Sequence, residues 1–234
     1  MNLIPSQVYS DPKHRHELAA INARDCPPII LDVGGYKSRE QLLASHIKRL
    51  QYISINIGTA WYQQEEPHLY YDGNRLPFRD STLSCVICVD TLEHIVASER
   101  NRIVQEMLRV ASERVVIVTP FSDNTPLEEV FEEYANRHGV ELKPSFREHL
   151  QYGLPTSLDL QSYADSNRFD LTFSTPKEIF WNFIMAQLFN NIALGITSDG
   201  VNKRLQELME AELHHNTGRV PKEKAYRAVL VIHV

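Results

Sequence analysis

The sequence IILDVGG at residues 29–35 begins the alternation of buried strands and helices that decides the fold. Its first three residues form a short continuous apolar run, which is typical of a strand buried on both faces of a sheet. The glycine pair at its end suits a turn into a following helix. The two prolines just before this stretch end a helix predicted over about residues 14–24, because proline does not continue a helix.

The same alternation continues outward along the first half of the chain. Runs of apolar and β-branched residues predict strands, and apolar residues at helical spacing predict the helices between them. The predicted strands are residues 29–31, 52–57, 69–71, 83–89 and 114–119, and the predicted helices are residues 38–49 and 93–111. Parallel strands joined by right-handed crossovers form a three-layer α/β sheet, which is the fold class that we expect.

The second half of the chain is mostly helical in pattern. The predicted helices are residues 126–138, 157–166, 178–194 and 199–215, and the predicted strands are residues 169–174 and 224–234. Thr156 or Ser157 is the expected cap of the helix that begins near residue 157. The sequence therefore predicts a single domain with a helical insertion before its last strand.

Composition limits the classes of function. Lys and Arg number 24 against 30 Asp and Glu, which gives a net charge of −6 without a basic tract and argues against binding nucleic acid. The three cysteines are an odd number and the first residues show no secretion signal, so we expect a reducing, cytoplasmic setting. Cys85 and Cys88 have CxxC spacing, but on a strand they point to opposite faces, so we interpret them as buried core residues.

Polar residues and glycines follow successive predicted strands. Open parallel sheets bind ligands beyond the carboxyl ends of their strands, so these residues are candidates for a common site. They are Asp32, Gly34 and Gly35 after the first strand, Asn56 and Ile57 at the end of the second, Asp72 and Gly73 after the third, and Asp90 after the fourth. Carboxylate, amide and backbone groups of this kind suit the hydroxyls, amines and purine of a nucleoside cofactor.

Three motifs at these strand ends resemble those of the class I S-adenosylmethionine-dependent methyltransferases of the type 11-like group. They are ILDVGG at residues 30–35, DGNRLPFRDSTLSCV at 72–86 and VDTLEHI at 89–95. The resemblance covers residues 29–121 and implies a Rossmann-like sheet of about seven strands whose last strand, here residues 224–234, runs antiparallel. It also implies S-adenosyl-L-methionine as the cofactor.

The resemblance assigns one group of residues to the methionine end of the cofactor. Asp32, Gly34 and Gly35 would face this end, because backbone N–H groups at a helix start favour a carboxylate. Asp90 would lie near the methionine amino group.

A second group is assigned to the nucleoside end. Asn56 would hold the ribose hydroxyls and Ile57 would cover a face of the adenine. Asp72 would accept a hydrogen bond from the adenine amino group, with the backbone of Gly73 nearby.

Three departures from the family pattern affect the same site. Tyr36 and Ser38 stand where the family has further glycines, which is one reason why the chain has only 9 glycines. Asn56 replaces an acidic residue, and an amide makes weaker hydrogen bonds to hydroxyls than a carboxylate does. These departures leave open a catalytically inactive cofactor-binding or scaffold protein with the same fold.

The resemblance also bears on domain organisation and on the acceptor. It predicts one domain over residues 1–234, with an N-terminal helical segment at 1–28, a cofactor-binding core at 29–121, acceptor-side helices at 122–168 and the helical insertion at 175–222.

A second resemblance, to methyltransferases found with surface-glycan biosynthesis enzymes, concerns the acceptor. It is carried by REHLQYGLP at 147–155, the apolar helix near Trp181 and AYR at 225–227. This implies methyl transfer to a small-molecule or saccharide hydroxyl, with a protein or other acceptor as the alternative.

His149 is the predicted catalytic base for removing the hydroxyl proton. We expect it in a loop after the fifth strand on the cofactor side, and imidazole titrates near neutral pH. Glu93 and His94 are the rival pair, although Glu93 could instead complement a helix start. No metal site is predicted, because His214 and His215 lack an accompanying carboxylate pattern.

The apolar segment at residues 179–194 is interrupted by polar residues and does not qualify as a membrane span. We interpret it as a helix packed on the core or on a second subunit of a homodimer. An interfacial helix that meets a lipid-linked substrate is the alternative, but the acidic balance of the chain argues against strong attraction to anionic membranes.

Overall fold

The computed structural model describes residues 11–26, 29–57, 66–124, 127–138, 144–176 and 221–234. The two helices predicted at residues 178–194 and 199–215, and with them most of the insertion, lie outside these residues. The strands are β1 (Ile29–Val33), β2 (Gln51–Ile57), β3 (Leu69–Tyr71), β4 (Leu83–Val89), β5 (Ala111–Pro120), β6 (Arg168–Pro176) and β7 (Ala225–His233). The helices are α1 (Asp11–Ala23), α2 (Glu40–Ala44), α3 (Ala97–Val110), α4 (Leu127–His138), α5 (Pro144–Tyr152) and α6 (Ser157–Tyr163).

These strands form one sheet in the order β3-β2-β1-β4-β5-β7-β6. The pairs β1–β2, β1–β4, β2–β3 and β4–β5 are parallel, whereas β7 is antiparallel to both of its neighbours, β5 and β6. The strand order reverses at β1 and β4, so the carboxyl ends of these two strands flank the place where such sheets bind ligands. The predicted fold class, with an antiparallel last strand, is confirmed.

Alternate residues of the central strands build two cores, one on each face of the sheet. On β4, Cys85 and Ile87 pack on the side of α1 and α2, whereas Val86 and Cys88 pack on the side of α3 and α6. The two cysteines of the CxxC spacing therefore point to opposite faces, as predicted, and both are buried and free. Helices cover both faces of the sheet, so the carboxyl ends of its strands are the place to look for a ligand site.

Two predicted helices differ most from the structure in their bounds. The helix expected at residues 38–49 begins at Glu40, after a 3₁₀ turn at Lys37–Arg39, and ends at Ala44, where the His46 N–H bonds to the Leu43 carbonyl three residues back. The helix expected from residue 93 begins at Ala97 instead, since Leu92–His94 form a separate 3₁₀ turn and Ile95 is extended.

The predicted loop around His149 is wrong, because this residue lies in the last turn of α5. The capping prediction is resolved in favour of Thr156, whose hydroxyl accepts from the Asp159 backbone N–H at 3.0 Å at the start of α6. No helix within the described ranges has the length and apolarity needed to cross a bilayer.

Candidate functional site

A cavity of about 920 Å³ lies beyond the carboxyl ends of β1, β2, β3 and β4. This volume is within the range of roughly 300–1,000 Å³ that small-molecule and cofactor sites occupy. Eight of the nine residues predicted for the site line it, namely Gly34, Gly35, Asn56, Ile57, Asp72, Gly73, Asp90 and His149. The ninth, Asp32, lies behind the wall and is 1% exposed.

The glycine pair after β1 is required by the packing of the loop on its own neighbours. Gly34 has a φ of +84°, and a Cβ there would lie 2.1 Å from the Thr91 hydroxyl oxygen. A Cβ on Gly35 would lie 2.2 Å from Oδ2 of Asp32. Any side chain at either position would therefore displace this wall of the cavity.

Asp32 supports the loop from its buried side. The Tyr52 hydroxyl donates to Asp32 Oδ2 at 2.6 Å, and His16 Nε2 lies 3.9 Å from the same oxygen. Burial raises the pKa of Asp32 to about 7, although the bond from Tyr52 acts in the opposite direction. A carboxyl group beside the cavity therefore stays largely protonated in mildly acidic solution.

We expect this carboxyl to make the protein less stable as the pH rises from about 4 to about 7. The folded chain keeps Asp32 protonated up to a pKa of about 7, whereas the unfolded chain ionises it near 3.9. The unfolded state then binds fewer protons than the folded state, so the free energy of unfolding falls by roughly 4 kcal/mol over this range. Urea denaturation across this pH range measures the change.

Asp32→Asn should remove most of this pH dependence, because an amide does not ionise in this pH range. The matched control is Asp25→Asn, whose carboxyl is 77% exposed and which should keep the wild-type slope. If the free energy of unfolding changed equally with pH in the wild type and in Asp32→Asn, the raised pKa of Asp32 would be contradicted.

Polar groups at the nucleoside end are already tied to the protein backbone. Asn56 Nδ2 donates to the Gly34 carbonyl at 3.1 Å, and Asn56 Oδ1 accepts from the Ile57 N–H at 2.8 Å. Asp72 accepts from the backbone N–H of Asn74 at 2.9 Å, which lowers the pKa of its carboxyl. The side chain of Asp72 is exposed and stays a charged acceptor at neutral pH.

The fourth strand ends in an arginine-bridged carboxylate. Asp90 has a φ of +46°, and its carboxylate pairs with Arg15 of α1 and Arg227 of β7. Neither arginine follows a predicted strand, and both lie far from residue 90 in the sequence. The AYR motif at residues 225–227 was the one signal that pointed to Arg227.

His149 faces the cavity from α5 and is backed by a buried glutamate. Its Nδ1 lies 3.2 Å from Oε1 of Glu128, which is 1% exposed. The Tyr226 hydroxyl donates to the same oxygen at 2.7 Å. Oε2 of Glu128 is buried and has no hydrogen-bond partner among the residues that the structure describes. A carboxylate in this position holds the proton of His149 on Nδ1 and leaves Nε2 as an acceptor.

A second histidine lies beside the first. His94 Nδ1 lies 2.8 Å from Oε2 of Glu148, and the His94 and His149 ring centroids are 4.9 Å apart. Glu93, in the same turn as His94, accepts from the Thr119 hydroxyl at 3.1 Å and is 1% exposed. One ligand atom from each of Glu93, His94 and His149 lies within 4.8 Å of the others, so these three residues could hold a metal ion.

A buried arginine joins the two segments that carry these groups. Arg100 Nε donates to the carbonyls of Leu92 and Ile95, at 2.9 Å each. Its Nη2 donates to the carbonyls of Tyr152 and Gly153 at the end of α5. Burial lowers the pKa of this guanidinium. The turn with Glu93 and His94 is thereby fixed against the helix with His149.

Residues 31–119 match a family model described as a methyltransferase domain. No curated protein sequence matches the chain significantly. The matched range contains all of the predicted strand-end residues and excludes His149.

Many solved structures resemble the fold. A putative methyltransferase from an antibiotic biosynthesis pathway of Anabaena variabilis is 17% identical with a TM-score of 0.53, and the match covers 91% of this chain and 94% of that one. A possible histamine N-methyltransferase of Thermotoga maritima is 9% identical with a TM-score of 0.55, and the match covers 95% of this chain and 91% of that one. Phosphoethanolamine N-methyltransferase 2 of Haemonchus contortus was solved in complex with S-adenosyl-L-methionine. It is 13% identical with a TM-score of 0.54, and the match covers 92% of this chain and 51% of that one. At these identities the likeness is one of fold.

Proposed function

We propose that this protein transfers the methyl group of S-adenosylmethionine to a hydroxyl of a small molecule or saccharide, on the premise that residues 31–119 form a class I methyltransferase domain. One observation carries the proposal. A single cavity joins the strand ends at which this fold binds its cofactor to an imidazole that a buried carboxylate orients.

The cofactor-binding part of the proposal rests on the fit of the strand-end residues. S-adenosylmethionine, when bound, supplies an electrophilic methyl carbon. Gly73 has a φ of +80°, and a Cβ there would come within 3.4 Å of Ile57, so a side chain would narrow the proposed adenine slot. The residues proposed to bind the cofactor are Gly34, Gly35, Asn56, Ile57, Asp72, Gly73 and Asp90, with Asp32 supporting the glycine pair.

The catalytic part of the proposal concerns His149. A hydroxyl must lose its proton as it attacks the methyl carbon, and an acceptor group within hydrogen-bond reach can take that proton. Nε2 of His149 suits this role, because Glu128 holds Nδ1 and offsets the positive charge that the ring gains. The protein thus aligns the acceptor and receives the proton.

The kind of acceptor is supported by the composition of this end of the cavity. Ser145, Glu148 and Tyr152 line it together with the two histidines and the Phe146 ring, and polar groups beside an aromatic ring suit the hydroxyls and apolar faces of a saccharide. The resemblance of residues 146–234 to glycan-associated methyltransferases agrees with this proposal. The three free cysteines suit the reducing cytoplasm in which we place the reaction.

Calorimetry followed by a matched acceptor pair tests the function. We expect heat of binding with S-adenosylmethionine and with S-adenosylhomocysteine. Release of S-adenosylhomocysteine should then occur with neutral sugars and less with the corresponding amino sugars. Absence of heat at millimolar ligand would contradict cofactor binding and catalysis together. Binding without product on either acceptor class would favour the scaffold alternative.

Asp72→Ala should weaken the binding of S-adenosylhomocysteine by about tenfold or more. The variant removes a charged acceptor for the adenine amino group, and such bonds contribute about 1.5–3 kcal/mol. Calorimetry with the purified variant measures the dissociation constant.

Asn74→Ala is the matched control for the shape of this loop. It removes the 3.1 Å bond between the two side chains but leaves the carboxylate in place, so it should have the smaller effect. Unchanged affinity in Asp72→Ala would contradict the assignment to adenine. Equal losses in the two variants would mean that loop shape, and not contact with the ligand, is what matters.

A further inference from the structure

We propose that Glu93, His94 and His149 form a binding site for a divalent transition-metal ion of the zinc type, and that the ion competes with the acceptor for His149. The three ligand atoms lie within 4.8 Å of one another. A tetrahedral zinc ion with bonds of about 2.0–2.1 Å holds its ligand atoms about 3.3 Å apart. The three residues are therefore close enough for modest side-chain adjustment to bring their ligand atoms around one ion.

Both histidines are already oriented as metal ligands usually are. Metal-binding histidines almost always engage a carboxylate, carbonyl or water through the ring nitrogen that does not bind the ion. His94 does so with Glu148 and His149 with Glu128, in both cases through Nδ1. Each ring is left with Nε2 for another partner.

The charge of the cluster also favours a cation. Glu93 and Glu128 are each 1% exposed, and Glu148 adds a third carboxylate beside the two imidazoles. With neutral histidines these five side chains carry a formal charge of −3, of which the nearby Arg100 guanidinium offsets a part. Buried charges are costly unless they are paired or bind a metal, and a divalent ion offsets two of these charges.

The ligand set selects the kind of ion. Two imidazoles and one carboxylate are a common protein set for zinc when a fourth position is left open. Magnesium instead prefers oxygen ligands in octahedral geometry. The fourth position would face the cavity, because all three residues line it.

Occupancy of this site has a consequence for the reaction, and this part of the inference rests on the proposed function. A metal bound to Nε2 of His149 removes the lone pair that would receive the acceptor's proton. The ion should therefore oppose turnover in competition with the acceptor. It should leave cofactor binding unaffected, because none of the three ligands is among the residues proposed to bind the cofactor.

Metal titration of the chelator-treated protein tests the site itself, with no need for an acceptor. We expect the wild type to bind one equivalent of Zn²⁺ and no Mg²⁺. Glu93→Gln and His94→Ala should each lower the Zn²⁺ affinity by about 100-fold or more, and Glu148→Gln by about 10–100-fold. Circular dichroism and S-adenosylhomocysteine affinity show whether each variant is folded.

His233→Ala is the matched control. This histidine also pairs with a carboxylate, Asp170, but it lies at the end of β7 away from the cavity, so its loss should leave Zn²⁺ affinity unchanged. The site is overturned if the wild type binds no Zn²⁺, or if folded Glu93→Gln and His94→Ala bind it as tightly as the wild type does.

Steady-state kinetics with a known acceptor tests the competition. Zn²⁺ should raise the apparent KM for that acceptor, and a chelator should reverse the effect. Faster turnover with Zn²⁺ would overturn the competition.

Discussion

Replacing Arg100 with methionine should lower the free energy of unfolding by about 3–5 kcal/mol, which is a large effect for a single substitution. The side chain is 2% exposed and supplies N–H donors to the carbonyls of Leu92, Ile95, Tyr152 and Gly153. Methionine fills much of the same space but leaves these carbonyls without the donor. Urea denaturation followed by circular dichroism measures the loss.

Arg102→Met is the control on the same helix. Arg102 also donates to two backbone carbonyls, those of Gly73 and Asn74, but its side chain is 41% exposed and water can replace it. We expect a change below about 1 kcal/mol for this variant. If both variants lost a similar free energy of unfolding, burial would not be the reason why Arg100 stabilises the fold.

The same arginine explains why α3 begins at Ala97 and not at residue 93. Ile95 fits the apolar stripe that predicts a helix from residue 93, so periodicity alone extends the helix too far. In the structure Arg100 draws the carbonyls of Leu92 and Ile95 toward its guanidinium, and the chain turns before Ala97. A tertiary contact overrides the local pattern at this point.

The strands were predictable because a strand that is buried on both faces of a sheet is a continuous run of apolar residues in the sequence. Leu83–Val89 is buried along its whole length, and its bounds agree with the apolar run in the sequence. The antiparallel last strand followed from the resemblance in the motifs, whereas the order of the strands was not predicted. Residues that follow each strand were therefore placed at the correct edge of the sheet.

The environment of those residues was not predictable, because it depends on partners far away in the sequence. Asp90 is bridged by Arg15 and Arg227, which lie 75 and 137 positions away along the chain. Asn56 was assigned to the ribose, yet its amide already bonds to the loop that carries Gly34. Sequence motifs identify a strand end, whereas the contacts there depend on the whole fold.

His149→Ala should lower kcat by about 10²–10⁴-fold with the best acceptor, the range that a positioned general base contributes. The dissociation constant of S-adenosylhomocysteine should stay within about twofold of the wild type, because His149 is proposed to meet the acceptor and not the cofactor. Steady-state kinetics of chelator-treated protein, paired with calorimetry, separates the two quantities.

Glu128→Gln tests whether the buried carboxylate acts through His149. The amide keeps the size of the side chain but cannot offset the charge of a protonated ring, so we expect an intermediate fall in kcat of about 10–100-fold. His233→Ala removes a carboxylate-paired histidine elsewhere and should leave kcat unchanged. Full turnover in His149→Ala would exclude this residue as the base. If Glu128→Gln lost activity while His149→Ala retained it, the carboxylate would matter for the fold of α4 and α5 rather than for the proton.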